Sequence, residues 1–207
     1  NALYYFARVT DDSLVTLAEQ PFDYWRDDSL EIIVDADHSS EPFGRTDKAS
    51  AQQYGVRILP PENVSATVVH GNSTQWSSQQ PYMTFGWTLD PPDAKPLEQP
   101  LGTTVTYTYE VRQKIWTFRE PTGVEGSIEH VFAPDQIIGL TFQFDENDSA
   151  ILGERANQPG TTPKDGASTD NSKGSDFITV PTAGATGGTP SAVGAASWGR
   201  LKTRMGR

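Results

Sequence analysis

Period-two alternation of apolar and polar side chains recurs along this chain, and no segment sustains the 3.6-residue period of an amphipathic helix. The clearest case is residues 103–115, where Val105, Tyr107, Tyr109 and Val111 point one way. Thr104, Thr106, Thr108, Glu110, Arg112 and Lys114 point the other. Near the start, Leu3, Tyr5, Ala7 and Val9 oppose Tyr4, Phe6 and Arg8. Met83, Phe85, Trp87 and Leu89 form a third apolar face, closed by Pro91-Pro92. Further strands are expected over 53–59, 64–70, 126–132 and 137–144, the first of them stopped by Pro60-Pro61. Proline cannot donate to a sheet ladder, so these pairs mark strand ends. Many short strands separated by turn formers predict an all-β fold, an antiparallel β-sandwich of jelly-roll or immunoglobulin-like architecture.

The stretch at the centre of this pattern is residues 24–38. Leu30, Ile32 and Val34 alternate with Ser29, Glu31, Ile33 and Asp35, which predicts a strand over 29–35 with one buried face. Asp27 and Asp28 precede it, Asp35 and Asp37 end it, and Trp25 stands at its entrance. Glu31 falls on the polar face, where Arg8 or Arg26 is its expected partner.

The organisation predicted is a sandwich over 1–152, a low-complexity excursion or linker over 153–196, and a final strand with a tail over 197–207. The middle segment is rich in Gly, Thr, Ser, Pro and Ala, and only Phe177-Ile178-Thr179-Val180 in it resembles a strand. The chain does not begin with Met and enters a strand almost at once, so an upstream segment is expected. With 16 Lys+Arg against 27 Asp+Glu, the formal net charge is −11, which argues against nucleic-acid phosphates as a partner. There is no cysteine, so disulfides and thiolate metal sites are excluded. No apolar run approaches the roughly 18 residues that suggest a bilayer-spanning helix, and no membrane insertion is expected.

Three passages carry a family resemblance. Residues 1–12, a strand followed by Val9-Thr10-Asp11, resemble an opening strand with a V-x-D element. Trp25-Arg26-Asp27-Asp28-Ser29-Leu30-Glu31, with its strand ending in Asp35-Ala36-Asp37, resembles a W-x-x-D-S-x-E motif. Residues 138–148, with Ser197-Trp198-Gly199-Arg200, resemble a late strand, its acidic turn and a final W-G element. Together these are similar to the family 9 carbohydrate-binding modules and their DOMON-like β-sandwich relatives. The resemblance implies a non-catalytic module that binds sugars, often at chain ends, between aromatic side chains. It implies structural calcium as well, and a place in a secreted or surface protein, commonly beside a polysaccharide-degrading enzyme.

Sugar recognition has its own physical demands. Pyranose C–H faces pack on flat rings, and hydroxyls need donors and acceptors; Trp and Tyr supply the rings at low entropic cost. Trp76 sits in a polar run of Ser, Gln and Thr where burial has no evident partner, which favours a binding role. Tyr82 lies just beyond it, while Trp87 shares an apolar face with Met83 and Phe85 and reads as core. Trp25 and Trp198 enter through the resemblance. The expected carbohydrate-binding residues are therefore Trp25, Trp76, Tyr82 and Trp198. For calcium, Asp35 and Asp37 with Ser39, and Asp145 and Asp148 with Asn147, place hard oxygens in short loops after strands. For the second set a solvated acidic turn is the favoured reading, since Asp and Asn are default turn residues. No Ser nucleophile elbow or metalloprotease His pair is present, and His38, His70 and His130 read as surface or edge residues. The expected function is carbohydrate binding without cleavage, with oligo- or polysaccharide as partner. The alternative is a structural or adhesive module that self-assembles through strand edges and the long excursion.

Overall fold

The computed structural model describes residues 2–18, 21–39, 51–58, 64–68, 74–94, 104–148, 155, 157–162 and 174–179. Its strands are β1 (Leu3–Asp11), β2 (Ser29–Asp35), β3 (Ala51–Ile58), β4 (Val64–Val68), β5 (Met83–Asp90), β6 (Val105–Gln113), β7 (Trp116–Phe118), β8 (Ile128–Glu129), β9 (Ile137–Asp145) and β10 (Ser175–Ile178). Two 3₁₀ turns, Pro21–Arg26 and Thr74–Ser78, are the only helical pieces among the described residues. The fold is all-β, as the alternation predicts.

Two antiparallel sheets make the sandwich. One has three strands in the order β1-β6-β5, and the other has five in the order β10-β9-β2-β3-β4. A two-stranded ribbon of β7 and β8 accompanies them. Each strand's parity decides what it sends inward. Val105, Tyr107, Tyr109 and Val111 of β6 meet Leu30, Ile32 and Val34 of β2 and Tyr54, Val56 and Ile58 of β3 in one core. The alternating faces of β1 and β6 are thus as expected, and Tyr5 reaches Phe142 of β9 with ring centroids 5.5 Å apart. Trp87 is half-buried and packs against this core.

The central strand departs from expectation, because all seven residues of β2 are buried. Its second face, which alternation alone assigns to water, lies under the first 3₁₀ turn. Tyr24 is seated there on Gly55, where an added Cβ would come within 2.5 Å of the ring. Only a residue without Cβ lets that ring lie on β3. The excursion is also tied to the sheet in part. β10 pairs with β9 from Ser175↔Leu140 to Ile178↔Ile137, and residues around 157–160 bridge to Gln143 and Glu146. The predicted strand over 126–132 shrinks to β8, and β7 was not anticipated, since neither is long enough to show a period.

Candidate functional site

The outer face of the five-stranded sheet carries the densest polar cluster described. Register puts Gly55, Glu31 and Gln143 side by side on β3, β2 and β9, with Arg57, Ser29 and Asp145 in the row beside them. Gln53 stands in the next row, opposite Ile33. Glu31 and Gln53 are each 2 % exposed and Gln143 7 %. The Tyr24 hydroxyl donates to Glu31 Oε1 at 2.9 Å, and Gln53 Nε2 donates to Glu31 Oε2 at 3.1 Å. Glu31 therefore bonds these two groups, which corrects the expectation of Arg8 or Arg26.

The neighbouring acids each have hydrogen-bond partners. Asp27 accepts from the Leu17 and Ala18 amides and pairs with the buried Arg57 guanidinium. Asp28 accepts from the amides of Val15 and Asn147. Asp145 accepts from Ser29 Oγ, Arg155 Nη1 and Gln158 Nε2 at 2.9, 2.6 and 2.9 Å. Burial pushes the Asp28 carboxyl up to about 8, against the two amide bonds that favour its charge. Asp145 is pushed up to about 8 by burial and then by the nearby Glu31 charge, with Arg155 opposing.

Two acceptors on this face are unmet: Gln53 Oε1 and Gln143 Oε1 are buried without a hydrogen-bond partner. A buried acceptor left open costs stability. Trp25 lies next to Tyr24 on the same 3₁₀ turn. It is half-buried, and the Arg26 guanidinium stacks 4.8 Å from its ring centroid.

Trp76 and Tyr82 come together at another place. Their centroids are 5.0 Å apart, and both lie edge-on to Trp116, at 5.0 and 5.6 Å. Trp116 is buried behind them at 2 % exposure. The Trp76 indole donates to the Glu120 carbonyl at 3.0 Å. Trp76 is thus half-buried within an aromatic cluster, where the polar run around it predicts an isolated exposed ring. Trp116 and Glu120 lie far along the chain from Trp76, so no local signal reveals them. Among the described residues, no ring contact joins Trp25 to this cluster. Trp198 lies outside the described residues, as does His70.

The acids expected to hold a cation divide differently from their order in the chain. Asp35 is buried and Asp37 exposed, and the Ser39 amide donates to both, at 3.3 and 3.2 Å. Asp145 is committed to its own partners, whereas Asp148 joins Asp11 and Asp12, each offering an oxygen within 4.8 Å of the others. Burial, then the neighbouring Asp148, Asp11 and Asp12, push Glu146 up to about 7. Of the histidines, His130 is buried rather than at the surface, bonded to Thr117 and Gln136. His38 is exposed beside Asp176. Gln53, Gln143 and Arg155 carry no sequence signal of this role, because a polar residue on a strand or loop looks solvated until something roofs it, and Glu31 is legible only as a polar-face residue.

No protein-family model matches the chain, and no curated protein sequence matches it. The architecture does have solved counterparts. A family 9 carbohydrate-binding module from Caldicellulosiruptor kristjanssonii in complex with cellotriose superposes with a TM-score of 0.55 at 19 % identity, covering 92 % of this chain and 75 % of that one. A family 9 module from the same organism in complex with glucose gives 0.57 at 18 % identity, covering 90 % and 75 %. The chain therefore has the fold of a family 9 carbohydrate-binding module.

Proposed function

We propose that this chain is a non-catalytic carbohydrate-binding module of a secreted or cell-surface protein, taking oligo- or polysaccharide by aromatic stacking. The observation that carries this reading is the fold shared with family 9 modules solved with glucose and cellotriose, together with the half-buried rings of Trp25 and of the Trp76–Tyr82 pair. A pyranose C–H face matches flat rings of this kind, and the Trp25 indole is held by the Arg26 guanidinium. The glucose and cellotriose found on modules of the same fold support glucose-type units as the first ligands to try. Tyr24 shields Glu31, so a hydroxyl that reaches the carboxylate takes over the bond that the phenol makes.

Trp76 and Tyr82 are a second stacking surface, favoured by the indole bond that fixes Trp76 in place. Trp198 is proposed as a further contact on the resemblance alone. The acids of the polar face favour binding over hydrolysis. Asp27 is paired with Arg57 and Asp145 with Arg155, while glycoside hydrolysis needs two carboxyl groups free to flank a bond.

Structural calcium belongs to the same reading. Calcium takes six to eight oxygens at about 2.3–2.6 Å, so its ligand oxygens lie within roughly 5 Å of each other. Asp11, Asp12 and Asp148 meet that spacing. Asp35 and Asp37 form the second proposed site. Asp145, whose oxygens serve Ser29, Arg155 and Gln158, fits less well than its neighbour Asp148. A fused polysaccharide-degrading domain is the proposed context.

Calorimetric titration with glucose and cellotriose tests the proposal, with tryptophan fluorescence as a second readout. Binding that Trp25→Ala lowers at least tenfold supports it. The structural or adhesive alternative gains if no saccharide binds and the protein instead assembles with rising concentration.

A further inference from the structure

The outer face of the three-stranded sheet belongs neither to the core nor to the polar cluster. Its register lays out rows across β1, β6 and β5: Tyr4 beside Arg112 and Thr84, Phe6 beside Glu110 and Gly86, and Arg8 beside Thr108 and Thr88. Tyr4 is 56 % exposed and Phe6 43 %. Residues two apart on a strand share a face at roughly 7 Å spacing, so these two rings stand in line along β1. Single exposed apolar side chains are ordinary, whereas adjoining ones mark contact surfaces. The polar groups around the rings are open to a guest. Among the described residues no hydrogen bond or ion pair engages Arg8 or Glu110, and Arg112 gives one N–H to the Pro81 carbonyl at 3.2 Å. Thr88 and Thr108 share a hydrogen bond at 2.6 Å, as do Thr10 and Thr106 at 3.1 Å. Each of these pairs keeps one hydroxyl hydrogen and spare lone pairs.

We infer that this face is a second carbohydrate platform, separate from the rings of Trp25, Trp76 and Tyr82, and that it takes an internal stretch of a neutral glucan chain. The inference rests on the reading of the chain as a carbohydrate-binding module. Flat rings in line accept the C–H faces of successive pyranose units. Beside them, guanidinium groups donate, the Glu110 carboxylate accepts and the threonines do both, which matches sugar hydroxyls that themselves donate and accept. Arg8 and Arg112 stand against Glu110 and Asp90, so the face is electrically balanced within a chain of net charge −11, and charge complementarity then favours an uncharged partner. An open sheet face grips a chain along its length, so longer chains bind it better than single sugars. A protein partner fits less well. Protein interfaces have a centre depleted of charge, whereas the central strand β6 presents Thr106, Thr108, Glu110 and Arg112 here. Trp25 stands with the other sheet, so the two sites are read independently.

Backbone amide NMR on the full chain tests the inference, with cellohexaose and glucose as probes. Cellohexaose is expected to shift the amides of residues 4–8 and 108–112 saturably, with glucose binding there at least tenfold more weakly. Phe6→Ala should weaken cellohexaose at these amides at least tenfold while shifts near Trp25 or Trp76 persist, and Tyr4→Ala should act in the same direction. Both rings are exposed, so the amides of β2 and β9 should keep their positions in the variants and report an intact fold. Shifts confined to the surroundings of Trp25, Trp76 and Tyr82 overturn the inference and leave the module reading in place, as does unchanged binding at residues 4–8 in Phe6→Ala. No shift with either saccharide overturns both readings. Shifts at residues 4–8 that follow protein concentration without sugar also overturn the inference, and make a second copy the occupant of the face.

Discussion

Gly55 shows how much one missing methyl group decides. The Tyr24 ring lies where its Cβ would be, and through that contact the Tyr24 hydroxyl reaches Glu31. Gly55→Ala is expected to displace the ring and to lower stability by about 1–3 kcal/mol, the usual cost of overpacking, measured by urea denaturation. Tyr24→Phe is milder in shape but leaves the buried Glu31 Oε1 without that donor. A loss of about 1–3 kcal/mol follows, while an unchanged urea midpoint would contradict the hydrogen bond. Arg57 is a sharper case, since it is buried against Asp27. Arg57→Met strands a buried carboxylate, and about 3–5 kcal/mol is the expected loss.

At the scale of the element, the entry to β2 is a pH-sensitive joint. Asp28 links the 13–18 segment to the turn after β9, through the Val15 and Asn147 amides. Its folded pKa of about 8 lies above the unfolded value of about 3.9. The native state therefore holds a proton that the unfolded chain releases. That contribution is complete below the unfolded value and is lost as pH rises toward 8. Wild-type stability should decline between pH 6 and pH 8.5, and the decline should flatten in Asp28→Asn, which cannot titrate. A variant with the same slope as wild type would rule Asp28 out as the source. Strand β2 itself was legible as a strand, and its inward residues Leu30, Ile32 and Val34 were assigned correctly. The burial of its other face was not legible, because Glu31 and Ser29 read as solvated until Tyr24 is placed above β3.

For the whole molecule, the predicted behaviour is that of a sandwich stabilised by its ligands. Calcium that binds only the folded form must raise the melting temperature. Chelation should lower it, and Asp148→Asn should reduce that difference. Melting that ignores both calcium and chelator would remove the metal from this account. The class of fold followed from local chemistry: alternating side chains, paired prolines and turn formers act over neighbouring residues, so they are written along the chain. Asp145 and Asp148 lie close in sequence yet serve different neighbours, Arg155 in one case and Asp11 with Asp12 in the other. Trp76 finds Trp116, and Gln143 comes to lie beside Glu31, only because separate strands are brought into register. The sequence by itself determined which segments become strands and which side of most of them faces the core, since those depend on each residue and its near neighbours. Only the tertiary structure decided which polar groups are roofed and which carboxylates meet, because burial and charge pairing belong to surfaces that exist once the sheets have packed.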